Sequence, residues 1–152
     1  MALDFEKYAA KGNEFVHLVS EDMGISRDKA GRIINAVLHV LRNRLTLEES
    51  FQLIAQLPMV LKAVYVDGWV YNKAFKRIKH IDDFLEEVRR EDGNRAGYDF
   101  GDNEKTRVAV ASIFKALNYF ISEGEMNDIS DILSKEMKEF IKESIAGHGT
   151  IL

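Results

Sequence analysis

Cysteine is absent from the chain and proline occurs once, at Pro58. The first absence removes disulfide scaffolds, cysteine-ligated zinc or iron–sulfur centres and thiol catalysis. The second, together with only ten glycines, argues against a turn-rich all-β chain or a long linker. Long apolar runs are missing too. The best candidate, 57–71, is interrupted by Pro58, Lys62, Asp67 and Gly68 and falls short of the roughly 20 residues a membrane span needs. Asp4, Glu6, Glu14, Glu21 and Asp22 punctuate the first thirty residues, so no signal-peptide core is expected and the expected compartment is the cytoplasm. What remains is a chain of 152 residues, 46% hydrophobic and 30% charged, with a net charge of −4. A chain of this size buries roughly two-thirds of its unfolded surface, enough for a single soluble domain over 1–152 without a metal or a disulfide.

The apolar residues that are present recur at helical spacing. Ile33, Ile34, Val37, Leu38, Leu41 and Leu45 step by three or four and draw one stripe, with Ser26 placed to cap its start. Thr46 followed by Glu49 has the capping-box pattern, so one helix ends near Leu45 and another begins. That second helix carries Leu53, Ile54 and Leu57 and should stop or bend at Pro58; a short third helix runs to about Val66, where Asp67-Gly68 ends it. Upstream, Phe5, Tyr8, Phe15, Val16 and Val19 outline an amphipathic helix that contains Gly12 and stops near Gly24. Downstream, Asp82 and Asp83 open a helix with Phe84, Leu85 and Val88 inward. A polar loop is expected over 91–105, then a long helix over about 106–121, a second capping box at Ser122 and Glu125, helices carrying Ile129 and Leu133 and then Met137 and Phe140, and a frayed tail over 147–152 that holds His148.

The two halves are alike. An offset of 76 residues superposes Leu38 on Phe114, Leu45 on Ile121 and Leu57 on Leu133. Apolar coincidence alone is near chance over that stretch, but both capping boxes also fall in register. The first helix matches at an offset of 69, which implies a seven-residue insertion in the second unit. The expected fold is therefore all-α, two tandem repeats of about four helices each packed into one bundle-like domain: repeat I over 13–66, a connector over 67–81 and repeat II over 82–146.

Three stretches, 35–69, 80–89 and 112–133, carry a more specific pattern: a long helix, Arg44-Leu45-Thr46-x-Glu48-Glu49, Ala55-Gln56-Leu57-Pro58, and then Trp69. In these the chain resembles the bacterial domain of unknown function 2267 family along nearly its whole length. The resemblance implies an all-helical, two-repeat fold and brings no activity, substrate or catalytic residue. Leu133-Ser134 stands where the family's repeat often has a second Leu-Pro.

No constellation of catalytic type emerges. Glu14 and His17 form one Glu-x-x-His pair, but a di-metal bundle needs two such pairs and two further carboxylates. Asp92 to Asn103 imitates a calcium loop with Ala96 at position five and Asn103 at position twelve, lacking one ligand and the bidentate carboxylate. Asp99-Phe100-Gly101 matches a kinase fragment by letters only. His80 beside Asp82 and Glu86 reads as a capping or surface residue, and His39 lies at the edge of its helix's apolar stripe. No cofactor motif occurs, and the expectation is a non-enzymatic protein.

The surface segment that stands out is 62–80. It sets Lys62, Lys73, Lys76, Arg77 and Lys79 against Asp67 alone, a local charge of +4 on a chain of −4, and interleaves Tyr65, Trp69, Tyr71 and Phe75. Trp69, Tyr71, Lys73, Phe75, Lys76, Arg77 and Lys79 are the candidate partner surface. Two arrangements stay open: an exposed binding patch, or a connector whose aromatics plug the groove between the halves while its lysines remain in water. The leading functional expectation is an interaction module that binds another protein or itself. Binding of an anionic ligand or nucleic acid through this segment is the alternative, with nucleic acid disfavoured by the acidity of the rest of the chain.

Overall fold

Side-chain oxygens start the helices. In the computed structural model, which describes residues 3–146, Asp4, Ser26, Thr46, Asp102 and Ser122 each accept a hydrogen bond from a backbone N–H in the first turn that follows. The helices are α1 (Phe5–Met23), α2 (Arg27–Asn43), α3 (Leu47–Gln56), α4 (Met59–Val66), α5 (Ile81–Asp92), α6 (Ala96–Asp99), α7 (Asn103–Phe120), α8 (Glu123–Asp131) and α9 (Lys135–Ala146). No strand occurs among the described residues, so the protein is all-helical there. None of these helices is long and apolar enough to cross a membrane.

Both expected capping boxes are closed in each direction, Thr46 with Glu49 and Ser122 with Glu125. The bend at Pro58 falls where the sequence places it, with Leu57 extended between α3 and α4. α1 runs unbroken through Gly12, and that glycine has a packing reason: a Cβ there would meet the Val60 side chain at 3.0 Å, so its absence lets α4 lie close against α1. Gly24 takes a left-handed conformation (φ 66°) and ends α1. His148 and the tail from Gly147 lie outside the described residues.

The polar loop expected over 91–105 is largely helical instead. A 3-10 turn, Gly93–Arg95, leads directly into α6, and Gly101 in the left-handed region (φ 65°) turns the chain into α7. The reason is burial: Phe100 fills a core position and Asp99 is shut away from water against Arg32 of α2, so this segment has partners that a polar loop would lack.

α2 and α7 contribute most to the core, which runs continuously from Phe15 and Val19 through Ile33, Val37 and Leu41 to Ile113, Phe114, Leu117 and Phe140. The neighbours cross between the halves. α1 packs on α2 and α4 but also on α7; α5 packs on α7 and α9 but also on α2; α3 meets α8. Phe15 of α1 stacks at a tilt on Phe120 of α7, with ring centroids 5.7 Å apart.

Candidate functional site: a cationic and aromatic cleft

The chain leaves α4 through Asp67 and Gly68, whose φ of 70° turns it back toward α2. From there to His80 it forms no helix or strand and is held by side chains. Arg42, four residues beyond Leu38 on the buried stripe, donates through Nη1 to the carbonyls of Tyr65 (2.9 Å) and Asp67 (2.6 Å), capping the end of α4. Arg44 donates to the Lys76 carbonyl (3.2 Å) and pairs with Glu87 of α5. Asn72 closes a small turn by accepting from the backbone N–H of Ala74 at 2.9 Å.

Folding 69–76 over the end of α2 encloses a cleft of about 540 Å³. One wall is Trp69, Tyr71 and Phe75; the other is Arg42, Asn43 and Arg44, with Lys76 at the rim. No aspartate or glutamate is among the lining residues. Trp69 packs edge-on against the buried Tyr65 (centroids 5.8 Å apart) and against Tyr71 (6.4 Å). Burial pushes the Tyr65 hydroxyl up to about 12 although it shares a 2.8 Å hydrogen bond with Ser50, so it stays neutral beside the cations. Burial lowers the Arg42 pKa, and the nearby charges of Glu91 and Asp67 work against that shift; a guanidinium retains its proton in such surroundings.

Of the seven residues singled out in the sequence, Trp69, Tyr71, Phe75 and Lys76 come together here. Arg77 faces away: it grips Glu49 with two 3.0 Å bonds and reaches the Ile132 carbonyl (3.1 Å), tying the first capping box to the turn after α8. Lys73 and Lys79 are exposed outside the cleft, and the Lys79 carbonyl accepts from Ser134 Oγ. The two open arrangements therefore merge, since the aromatics are half-buried yet line a hollow that faces solvent. The sequence reading missed Arg42, Asn43 and Arg44. The available signal was Arg42 itself, a cation on an apolar stripe, which has to find hydrogen-bond acceptors inside the fold.

A second charged cluster lies at the other end of α2. Arg32 holds Asp99 with a two-pronged grip, Nε and Nη2 each 2.9 Å from a carboxylate oxygen. Burial works against ionisation of Asp99, but the Arg32 bonds outweigh it and hold that carboxyl below the ordinary range. Asp92, facing Asp99, is pushed up to about 7, by burial first and by its neighbour's charge next. Its Oδ2 is buried without a donor, as expected of an oxygen whose partner is the other carboxylate and which needs a proton between them.

The histidines are dispersed. His17 and Glu14 lie on an exposed face of α1. The Nε2 of His39 sits 2.8 Å from the Val64 carbonyl, which requires a proton on that nitrogen. His80 is at the N-cap position of α5 but makes no capping bond; the Glu136 carboxylate caps there, accepting from Ile81 N–H at 2.7 Å with His80 3.3 Å away. Bonds from Ile81 and His80 hold the Glu136 carboxyl below its ordinary value. Among the described residues no group of three or more His, Asp or Glu side chains is arranged to hold a metal ion.

The fold and cleft together define an all-helical protein with a cation-and-aromatic recess at the end of one of its two central helices. The chain belongs to the DUF2267 family, described as uncharacterized conserved proteins, whose family model matches residues 12–140. No curated protein matches the chain.

Proposed function

We propose that this protein is a non-enzymatic interaction module whose recognition site is the connector cleft and whose partner is another protein that presents an acidic segment. The observation that carries this reading is the lining: three aromatic rings and three cations with no carboxylate among them, on a chain of net charge −4. Aromatic walls supply contact area at low entropic cost, and the cations select carboxylates and steer their approach. Arg77 and Arg44 are committed to Glu49 and Glu87, so the cations of 62–80 do not form a continuous track for a phosphate backbone, and nucleic acid is the weaker candidate.

The scaffold reading goes with it. We read the helices as two tandem units, repeat I over 13–66 and repeat II over 82–146, with 67–81 between them. α2, α3 and α4 begin at 27, 47 and 59, and α7, α8 and α9 at 103, 123 and 135, an offset of 76 each time. Exchanging α1 with α5 and each of the others with its counterpart turns the contacts of α1 on α7 into those of α5 on α2. On this reading the repeats build the support and the segment between them carries recognition.

Trp69 is the one tryptophan of the chain, so its fluorescence reports on the cleft directly. Titration with a peptide of alternating glutamate and leucine should give a saturable spectral change that weakens as salt is added, and the lysine-for-glutamate version of the peptide should give none. No response to the acidic peptide at low salt overturns the reading, as does an equal response to both peptides.

A further inference from the structure

Arg42 is 8% exposed and lines the cleft, yet both of its hydrogen bonds leave from Nη1. Its Nε is buried with no partner, and the Nε of Arg44, lining the same cleft, is in the same condition. Unpaired donors shut off from water are costly, and native proteins retain few of them without a use. Elsewhere in this molecule the same edge of a guanidinium is occupied: Arg32 holds the Asp99 carboxylate through Nε and Nη2. The cleft thus contains a guanidinium already anchored by one nitrogen, in an orientation fixed by the end of α4, with its carboxylate-binding edge unfilled. Glu91 and Asp67 lie near enough to favour its charge, but neither carboxylate bonds to it; the Asp67 contact is through the backbone carbonyl.

We infer that Arg42 is the residue that determines specificity in the cleft, gripping one glutamate or aspartate carboxylate of the acidic segment side-on through Nε and Nη2 while Trp69 packs against the neighbouring apolar residue of that segment. This rests on the proposed function and adds to it a single anchoring carboxylate. Lys76 at the rim contributes charge without direction, because an ammonium is a point charge and a guanidinium is a planar fork. The Arg44 fork is already divided between Glu87 and the Lys76 carbonyl, which leaves Arg42 as the anchor.

Nitrogen–proton correlation spectra of the arginine Nε–H groups in the full chain, recorded while the same glutamate–leucine peptide is added, test this directly. The Arg42 Nε–H resonance is expected to move downfield and saturate together with the Trp69 fluorescence, and to stay in place when one central glutamate of the peptide is changed to glutamine. In a second arm, Arg42→Lys, which keeps the charge and loses the fork, should weaken peptide binding about tenfold or more, whereas Lys76→Gln should weaken it only a few-fold. If Arg42→Lys does not fold, the resonance shift in the unaltered chain still decides. A Trp69 response with a stationary Arg42 resonance overturns this inference and leaves the proposed function standing. Silence of both probes overturns the proposed function, and this inference with it.

Discussion

The bend between α3 and α4 is built on Pro58, and the bend between α8 and α9, 76 residues later, is built on Ser134. Pro58 makes no side-chain cap; its ring fixes the backbone and forgoes an N–H that the first turn of α4 could not use. Ser134 stays flexible in φ but accepts from the Met137 N–H at 3.3 Å and donates to the Lys79 carbonyl at 3.1 Å. The same substitution of chemistry recurs inside. In the first half Tyr65 and Ser50 are buried and hydrogen-bonded at 2.8 Å; the positions 76 residues on are Ile141 and Met126, buried and apolar. On the outside, Leu47 and Phe51 of α3 are exposed where α8 has Glu123 and Asn127. A bend or a filled volume is a geometric demand, and the two halves show that either a polar or an apolar pair can meet it. The residues with no counterpart, the connector over 67–80 and the link over 93–102, are where charge and recognition chemistry collect.

The strongest way to break the comparison is to ask whether the halves stand separately. Because α1 lies on α7 and α5 on α2, neither half can bury its faces without the other. Phe114→Ala, at a fully buried position of the second half, should cost about 3–5 kcal/mol. The loss should appear equally in Trp69 fluorescence, which reports on the connector, and in far-UV circular dichroism, which reports on all the helices. Two separated transitions in urea would mean that the halves are independent units.

Next in size is the link between α5 and α7, for which the first half has only the short turn after α1. Docking it on α2 puts Asp92 against Asp99, and the folded protein then holds a proton on Asp92 up to about pH 7. The unfolded carboxyl releases that proton near pH 4. Between those values the folded state binds more protons than the unfolded one, so this group's contribution to stability falls as pH rises through that window. Asp99 acts oppositely, its contribution being lost only at acid pH, below the unfolded value. Asp92→Asn replaces the shared proton with an amide donor. It should flatten the neutral-range dependence and exceed the parent chain at pH 8 by roughly 1–3 kcal/mol. Urea midpoints at pH 5 and pH 8 that shift identically in both proteins would refute the shared proton.

The buried polar pair of the first half comes third. Tyr65→Phe strands the Ser50 hydroxyl and should cost roughly 1–2 kcal/mol, whereas adding Ser50→Ala should recover most of it, because removing both partners leaves no orphan. The cycle read by urea denaturation sharpens the comparison: a recovered double variant means that the first half could adopt the apolar solution of the second.

Much of the fold was legible because it depends on local chemistry. Ser26, Thr46, Pro58, Gly24 and Ser122 act within four residues of themselves, and each stops or starts a helix where the sequence places it. The segment over 91–105 was misread as loop because its helicity depends on Asp99 finding Arg32, 67 residues away, and on Phe100 finding the core. The cleft was half legible for the same reason. Composition picks out Trp69, Tyr71, Phe75 and Lys76 as a run, but it groups Arg77 with them, and Arg77 belongs to Glu49 on the other side of the backbone. Arg42 and Arg44 lie on a different helix, and only the return of the connector over α2 joins them to the aromatics.

The two bends give the finest test. Ser134→Ala removes the oxygen that meets Met137 N–H and should cost about 1 kcal/mol, the usual worth of such a cap. Pro58→Ser installs that cap in the first half and at the same time frees the backbone that the ring restrained. The cap gains about 1 kcal/mol and the lost restraint costs about 0.4–1 kcal/mol, so the net change should lie within about 0.5 kcal/mol of zero. Thermal midpoints of the two variants should therefore differ clearly from each other while that of Pro58→Ser stays near the parent's. A large loss on Pro58→Ser would mean that the proline does more than set the angle. The apolar contact of its ring with α1 or α4 would then carry the first bend, and the two bends would no longer be equivalent answers to one geometric demand.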